Sequence, residues 1–459
     1  MTAPLSAPSP EPLPPPAPLP PPARHCPVLI VGGGCAGITL AHVLRQLRPA
    51  LPLTLLEPAA EHDYQPGWTL VGGGLMPLEQ TRRPERDLIP PGVAWIQAAA
   101  SAFEPARHRV ISSEGQVLTY DALVVATGLV CRWGAIAGLE EALGHGGVCS
   151  NYAREGSPYT WEAIEAFRGG NAVFTIPDTP IKCGGGPQKV MYMADDRFRA
   201  RSGVGVNSRV IFCTPQRSLF ALPEYARTLA EVVRRRGIAV RYGWTLQQVD
   251  GPGRRALFAV TDGEGDGGPG EGADSRLEWL PYDLLHAVPP MGPPPVVAGS
   301  PLAGAGGWVE VDPYTLRHPR FADVFALGDV AGLPTSKTAG AVRQQVPVLA
   351  ANLVASLERR PLTARYDGYT VCPLITGYGA VMMAEFDYRQ IPISSFLVDP
   401  TRERWSLWLL KTRLLPWIYW NRMLRGAPHE AAWLRPLAPL AQALRLDHRP
   451  PPLERPLSS

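Results

Sequence analysis

The sequence predicts an α/β fold, because three apolar, strand-like runs each lead into a turn and a helix. The first run, residues 27–31, ends in glycines and precedes a helical pattern over 36–47 and a second strand over 53–57. The second run covers residues 171–176, and the third covers 323–326. We therefore expect two Rossmann-like dinucleotide-binding domains, the second inserted into the first, and then a C-terminal amphipathic membrane-binding region.

These patterns divide the chain into four expected parts. The first, residues 1–25, is a proline-rich arm that we expect to be disordered; its first 22 residues hold eleven prolines and no Lys or Arg. That composition fits neither a signal peptide nor a transit peptide. The first dinucleotide-binding domain comprises residues 26–150 and 300–390, the second comprises 151–299, and the C-terminal region comprises 391–459.

Composition argues against several classes of protein. A net charge of +3 without a dense Lys/Arg run does not suggest a nucleic-acid partner. Seven cysteines without a CxxC pair predict no zinc ribbon and no other metal site. An odd cysteine count argues against a secreted disulfide scaffold. No apolar run reaches about 18 residues, so we expect no transmembrane helix.

The first glycine turn has the GxGxxG pattern of a dinucleotide site. It lies between a strand and a helix, where glycines allow a tight turn and let a pyrophosphate approach the helix N-terminus. Glu57 ends the second strand, where its carboxylate can accept hydrogen bonds from a ribose. A purely structural glycine turn is the alternative, because the pattern alone is common. The expected cofactor contacts here are Gly32, Gly34, Cys35, Ala36, Gly37 and Glu57.

Two later motifs favour FAD as the cofactor. Residues 124–128 (VVATG) resemble the ATG motif of flavoproteins with two dinucleotide-binding domains, and 324–329 (VFALGD) resemble their GD motif. The resemblance implies that Thr127 and Gly128 contact FAD and that Asp329 holds its ribityl chain.

The second dinucleotide-binding domain does not carry the pattern of a nicotinamide site. After its first strand the chain reads PDTPIKCGGG (177–186) and has no GxGxxG, and the next strand ends at 212–214 without an acidic residue. NADH is therefore disfavoured as the electron donor.

Two cysteines are candidates for a redox centre. Cys183 lies in the loop where a pyrophosphate would otherwise bind, next to Lys182, and nearby cations favour a thiolate. Cys372 lies in the segment that follows the GD helix. In this architecture both segments would converge on the cofactor. The residues alone leave open that each cysteine is a buried, inert side chain.

The chain resembles the mitochondrial-type sulfide:quinone oxidoreductases over nearly all of residues 26–435. Several short stretches carry the resemblance, in the same order along the chain. They are 64–66 (YQP), 68–72 (WTLVG), 150–152 (SNY), 182–183 (KC), 187–189 (PQK), 286–291, 333–339 (LPTSKTA), 366–370 (YDGYT), 372–374 (CPL) and 384–388 (AEFDY).

The resemblance implies that Cys183 and Cys372 form the redox centre, bridged as a disulfide or through an extra sulfur. Sulfide attacks the bridge, one cysteine leaves as a thiolate that passes two electrons to FAD, and the other carries a persulfide. We expect Cys183 to carry the persulfide and Cys372 to face the flavin.

The resemblance also implies that Gln65 and Ala100 contact FAD, and Lys337 is placed to stabilise the reduced flavin. Lys189 either neutralises negative charge in the loop that carries Cys183 or is a solvated surface residue. Cys131 and Cys149 have no clear counterpart in the mitochondrial-type pattern. They are expected to be structural, with a third redox cysteine as the alternative for Cys131.

Residues 405–426 combine Trp, Tyr and Leu with Lys and Arg and contain no acid, which suits an interfacial helix pair broken at Pro416. An ordinary core helix is the alternative. By resemblance, Lys411 binds the quinone. We expect a peripheral, monotopic protein of a bacterial plasma membrane.

The predicted function is oxidation of hydrogen sulfide, reduction of a membrane quinone and transfer of the persulfide sulfur to a small-molecule acceptor. Two alternatives stay open: an NADH:quinone oxidoreductase of the same fold, and a non-catalytic, membrane-bound sulfide or redox sensor.

Overall fold

A computed structural model describes residues 23–261, 275–395 and 399–427. Most of the proline-rich arm and most of the glycine-rich stretch expected at a hairpin tip lie outside the described residues, as do residues 428–459.

The strands of the described residues form six sheets of two to seven strands. In chain order they are β1 Arg24–Val31, β2 Leu53–Leu56, β3 Glu61–Asp63, β4 Arg82–Pro84, β5 Val93–Ile96, β6 Ala100–Glu104, β7 Arg109–Ser112, β8 Val117–Val125, β9 Val130–Cys131, β10 Val148–Cys149, β11 Gly170–Thr175, β12 Ser208–Thr214, β13 Ala239–Tyr242, β14 Trp244–Asp250, β15 Arg255–Thr261, β16 Ser275–Pro281, β17 Leu284–His286, β18 Met291–Gly292, β19 Val324–Ala326, β20 Thr370–Gly377 and β21 Ala380–Phe386.

The α-helices of the same residues pack on these sheets. They are α1 Cys35–Leu47, α2 Trp68–Gly72, α3 Leu139–Ala142, α4 Ser157–Ala166, α5 Gly186–Arg199, α6 Pro223–Arg236, α7 Pro295–Ala298, α8 Ala339–Leu357, α9 Trp405–Leu409 and α10 Leu415–Ile418.

The largest sheet has the strand order β5-β2-β1-β8-β7-β6, and β19 pairs with β8. Strands β5, β2, β1, β8 and β19 are parallel to one another, whereas β7 and β6 are antiparallel additions. Val125 is level with Val31 on one side and with Ala326 on the other. The three turns that follow β1, β8 and β19 therefore lie at one edge of the sheet, the place where open parallel sheets bind ligands.

The second sheet, β10-β17-β11-β12-β13, is parallel throughout. Helices α5 and α6 bury their apolar side chains on one face. The antiparallel sheet β14-β15-β16 packs on the other face, where Phe258 and Val260 meet Val173 and Ile211. The sequence predicted the parallel unit but not this antiparallel layer.

The hairpin β20–β21 connects the two halves of the site. Its residues Leu374, Ile375 and Met382 share a hydrophobic cluster with Met191 and Met193 of α5. This packing brings β20, which carries Cys372, against the helix that follows Cys183.

The C-terminal segment corrects one sequence-based expectation. Residues 405–423 are helical throughout, with π-helical turns at Leu410–Leu414 and Tyr419–Met423, so the expected break at Pro416 is wrong. Pro416 lies in the first turn of α10, directly after a π-turn. A π-turn changes the backbone hydrogen-bond pattern, which lets the helix continue past a residue that lacks an N–H.

The α/β fold with Rossmann-type units is confirmed, as are the strands and helices predicted around the glycine turns. No helix among the described residues is long and apolar enough to cross a bilayer.

Candidate active site

A cavity of about 1110 Å³ lies at the edge where the three turns meet, and it extends past Cys183 to the C-terminal helical segment. Small-molecule pockets measure about 300–1,000 Å³, so this cavity has room for a dinucleotide. Most of the expected site residues line it: Gly32, Gly34, Cys35, Ala36, Glu57, Gln65, Ala100, Thr127, Gly128, Cys183, Asp329, Lys337 and Lys411.

The glycine turn is shaped by close backbone contacts. Gly32 has a φ of +106°, and a β-carbon there would lie 2.5 Å from the Ala126 carbonyl oxygen. A β-carbon on Gly37 would overlap the Gly32 carbonyl oxygen, so the glycine lets α1 pack against the turn. Gly37 is not among the described residues that line the cavity. A β-carbon on Gly34 would have no described atom within 4 Å. Gly34 therefore opens onto the cavity at the N-terminus of α1, where a pyrophosphate can bind.

These contacts predict different effects for two alanine variants. Gly37→Ala should lower the free energy of unfolding by about 1–3 kcal/mol, because the new methyl group overpacks the turn. Gly34→Ala should leave the free energy of unfolding unchanged but reduce the cofactor content of the purified protein. Denaturant titration and cofactor absorbance measure the two effects. Equal loss of stability in both variants would contradict this account of the turn.

The polar groups at this edge suit a dinucleotide. Glu57 accepts hydrogen bonds from the backbone N–H of Gly33 at 2.6 Å and of Ala59 at 2.7 Å, which fixes its carboxylate beside the turn. The buried Thr127 hydroxyl has no hydrogen-bond partner within the described part of the chain, although it lines the cavity. A buried polar atom without a partner is rare in native proteins, and a bound cofactor would satisfy it.

Asp329 and Lys337 also line the cavity. Burial raises the pKa of Asp329, and the positive charges of Lys337 and Lys182 oppose that shift. The Lys337 ammonium donates hydrogen bonds to the carbonyl oxygens of Asp329 at 2.6 Å and Ala331 at 3.3 Å. It also lies 3.6 Å from the ring centroid of Trp308. Burial lowers the pKa of Lys337 to about 8.

The two predicted redox cysteines are in contact. The Sγ atoms of Cys183 and Cys372 lie 3.3 Å apart, and both residues are free thiols. A disulfide bond measures about 2.0 Å, so a shift of little more than 1 Å would close it. Cys183 has the left-handed φ of +54°, and its N–H donates to the Lys337 carbonyl oxygen at 3.0 Å. The loop that carries Cys183 is therefore hydrogen-bonded to the segment that follows Asp329.

Lys189 is the counter-charge of this pair. It lies in the first turn of α5, is buried, and donates from Nζ to the Cys183 Sγ at 3.0 Å. Burial alone would lower the pKa of Lys189, but the negative charge of the cysteine pair outweighs burial and raises the pKa. Of the two possibilities that the sequence left open, the structure has the lysine at the sulfur atoms and not at the surface.

The two cysteines are not equivalent. The hydrogen bond that the Cys372 thiol donates, together with the charge of Lys189, holds the pKa of Cys183 well below its usual value. The same hydrogen bond and burial raise the pKa of Cys372. Cys183 and its neighbour Lys189 line the cavity, whereas Cys372 is not among the described residues that line it. Cys183 therefore lies nearer the cavity than Cys372, so this lining does not support the expectation that Cys372 faces the cofactor, which stays a prediction.

The far end of the cavity is mostly apolar and is closed by the C-terminal segment. Lys411 is buried there among Leu410, Leu414, Leu415 and Ile418. Its Nζ donates to the Pro66 carbonyl oxygen at 3.5 Å, and burial lowers its pKa to about 8.

The other side of the same segment carries large side chains in solvent. Trp405 is 64% exposed and Trp417 is 54% exposed. Leu409 and Leu414 are also exposed. The segment thus presents a buried lysine to the cavity and aromatic side chains to the exterior.

Comparison with known proteins identifies the family. A curated mitochondrial sulfide:quinone oxidoreductase from Mus musculus is 38% identical over 414 residues, which cover 90% of either chain. The chain belongs to the sulfide:quinone oxidoreductase family. A second mitochondrial member, from Dictyostelium discoideum, is 37% identical over 402 residues and matches 87% of this chain and 86% of its own. No protein-family model matches the chain.

The fold agrees with a solved sulfide:quinone oxidoreductase from Aquifex aeolicus. That structure superposes with a TM-score of 0.71 at 20% identity, over 89% of this chain and 93% of its own. The expected bacterial plasma membrane is not borne out, because three curated relatives at 37–38% identity are named as mitochondrial.

Cys131 and Cys149 are not among the described residues that line the cavity, whereas Cys35 is. Burial raises the pKa of the Cys149 thiol to about 12. Cys131 is half-buried beside Tyr152 and Met291, and burial raises its pKa. Neither thiol has the environment of a reactive thiolate.

The sequence did not reveal two hydrogen-bonded clusters that line the cavity. In the first, His62 bonds the Glu85 carboxylate at 3.0 Å and the Tyr419 hydroxyl at 2.7 Å, which connects the cofactor end to the C-terminal segment. The second surrounds Glu385. This residue lies in the AEFDY stretch that carries part of the family resemblance, but the sequence predicted no role for it. Both clusters join residues far apart in the chain, so no local pattern could show them.

Proposed function

We propose that the chain is an FAD-dependent sulfide:quinone oxidoreductase. It oxidises hydrogen sulfide at Cys183 and Cys372, delivers two electrons through FAD to a membrane quinone, and releases sulfur from a persulfide to a small-molecule acceptor. The observation that carries this proposal is the 3.3 Å contact between the two Sγ atoms at the wall of a dinucleotide-sized cavity.

The cofactor site supports FAD through its polar groups. The turn at Gly32 and Gly34 would hold the pyrophosphate, Glu57 a ribose, and Asp329 the ribityl chain. When bound, FAD supplies the acceptor for the two electrons released when the cysteine disulfide forms again. Lys337, a half-buried cation that also lines the cavity, is placed to balance negative charge there.

The sulfur chemistry follows thiol–disulfide exchange. HS⁻ attacks the Cys372 sulfur of the Cys183–Cys372 disulfide, so a new S–S bond forms on Cys372 and the old one breaks. Cys372 then carries the persulfide and Cys183 leaves as a thiolate. A nucleophilic acceptor takes the outer sulfur, and the two cysteine sulfurs lose two electrons as they bond again.

Cys183 is the better leaving group of the two. A thiol with a lower pKa leaves faster, and the positive charges of Lys189 and Lys411 lower the pKa of Cys183 even when Cys372 has no thiol proton to share. Lys189 donates to its sulfur and so compensates the negative charge as the bond breaks. This assignment reverses the roles expected from the sequence.

The quinone binds at the apolar end of the cavity in this proposal. Lys411 can donate a hydrogen bond to a quinone carbonyl, because its ammonium is buried among leucines and lines the cavity. The exposed aromatic side chains of the same segment suit the headgroup layer of a membrane surface. A lipid quinone could then reach the cavity without leaving the bilayer.

Membrane binding should depend on the exposed tryptophans of this segment. The double variant Trp405→Ala/Trp417→Ala should lose most of its binding to anionic phospholipid vesicles, because both side chains lie in solvent. Trp279→Ala is the matched control, since Trp279 is 41% exposed on the antiparallel sheet. Vesicle co-sedimentation measures both variants. Equal binding by the double variant and the control would exclude this surface.

Steady-state turnover tests the function as a whole. Purified protein with sulfide, sulfite as acceptor and decylubiquinone should reduce the quinone, and NADH should not replace sulfide. Quinone reduction with NADH alone would identify the chain as an NADH:quinone oxidoreductase. Flavin reduction by sulfide without continued turnover would instead favour a sensor.

A further inference from the structure

A polar cluster lies in the wall of the same cavity. We call it the Glu385 cluster, and it consists of Arg343, Tyr369, Glu385 and Ser395, all of which line the cavity. The cavity wall around it includes apolar side chains, namely those of Val371, Pro373, Met383, Ile393 and Leu414. A few polar groups within an apolar pocket are what orient a small ligand.

The hydrogen bonds of the cluster use only one oxygen of Glu385. Its Oε2 accepts from the Ser395 N–H at 3.0 Å, the Ser395 hydroxyl at 2.7 Å and the Tyr369 hydroxyl at 3.1 Å. Arg343 in turn donates to the Tyr369 hydroxyl at 2.8 Å. The buried Oε1 has no hydrogen-bond partner among the described residues, and Glu385 is 1% exposed.

This asymmetry fits a protonated carboxyl group. A buried carboxylate needs hydrogen-bond donors at both oxygens, whereas a neutral carboxyl group needs donors only at its carbonyl oxygen and carries a hydroxyl on the other. Burial raises the pKa of Glu385, and the bonds from Ser395 and Tyr369 and the charge of Arg343 do not reverse the shift. Oε1 is therefore the oxygen that holds the proton.

The reaction proposed above needs protons at the bound quinone. Reduction of a quinone to a quinol consumes two electrons and two protons, and an apolar site has little water to supply them. Lys411 lines the same cavity, and burial lowers the pKa of its ammonium, so it can release one proton. A second donor is needed.

We propose that Glu385 is a catalytic acid that donates one of these protons to a bound quinone. The proton leaves Oε1 of Glu385 and forms an O–H bond on one quinone oxygen, while the Lys411 ammonium protonates the other oxygen. The two electrons come from sulfide oxidation, so this inference rests on the proposed function. Afterwards the Glu385 carboxylate keeps its three hydrogen bonds on Oε2 and takes up a proton from solvent.

Glu385→Gln tests this role, because glutamine keeps the shape and an acceptor oxygen but has no proton to give. We expect kcat with decylubiquinone to fall on the order of 10²-fold while the quinone KM stays unchanged. Turnover with ferricyanide, which accepts electrons without protons, should keep its wild-type rate. Flavin reduction by sulfide should also keep its rate.

Asp387→Asn is the matched control. Asp387 is a buried carboxylate two residues further along the chain, is paired with Arg389, and is not among the described residues that line the cavity. It should react with quinone and ferricyanide at wild-type rates. Three outcomes for Glu385→Gln would overturn the proposal: an unchanged quinone kcat, equal losses with quinone and ferricyanide, or a raised KM with kcat retained. Failure of sulfide to reduce the wild-type flavin would instead refute the proposed function.

Discussion

Replacing Cys183 by serine should abolish flavin reduction by sulfide, with a rate loss on the order of 10³-fold or more. The physical reason is that no S–S bond remains for HS⁻ to attack, and a serine oxygen cannot take its place. Cys372→Ser should have the same effect, because the two Sγ atoms act as a unit. Stopped-flow absorbance of the flavin under anaerobic conditions, with sulfite present as the sulfur acceptor, measures the rate.

Cys131→Ser is the control for these variants. Cys131 is half-buried and lies outside the described cavity lining, so its replacement should leave the rate of flavin reduction unchanged. A loss in Cys131→Ser comparable to that in Cys183→Ser would mean that a third cysteine takes part. Undiminished flavin reduction in Cys183→Ser would show that the pair is structural.

Lys189→Met should slow sulfide-driven flavin reduction by on the order of 10²-fold near neutral pH. The thiolate form of Cys183 exists above its pKa and is lost as the pH falls through that pKa. Removing the ammonium raises this pKa, so the pH below which activity is lost should move upward. Cys372 and Lys411 also interact with Cys183 and stay in place. The rate of flavin reduction as a function of pH measures the shift.

Lys189→Arg is the conservative variant. It retains the positive charge, so it should recover part of the rate and most of the pH profile. A uniform loss of rate in Lys189→Met at every pH, without a shift of the profile, would indicate a packing role for the lysine and contradict the charge argument.

The sequence was most informative where chemistry follows local pattern. The turn at Gly32–Gly37 and the motifs at Thr127 and Asp329 each lie within a few residues of a strand, and parallel pairing brings the three strand ends to one edge. Their convergence could therefore be predicted from order alone. The pairing of Cys183 with Cys372, 189 positions apart, could not. Only the family resemblance predicted it.

Other features depend on packing that no local pattern encodes. The sequence left open whether Lys189 is a surface residue or a counter-ion, and the packing of α5 against β20 decides between the two. The proposed reversal of the cysteine roles depends on which sulfur lies nearer the cavity. The Glu385 cluster depends on Arg343, which lies in α8, and on Ser395, which follows the hairpin. The continuous helix through Pro416 arises because a π-turn precedes the proline.

The most direct test of the account is to locate the sulfur atom after a single reaction. Oxidised protein would be mixed anaerobically with a stoichiometric amount of sulfide, alkylated, and mapped by peptide mass spectrometry. We predict one additional sulfur on the peptide that contains Cys372 and an alkylated thiol at Cys183. Extra sulfur on the Cys183 peptide would contradict the leaving-group assignment. Extra sulfur on neither peptide would contradict the claim that this cysteine pair oxidises sulfide.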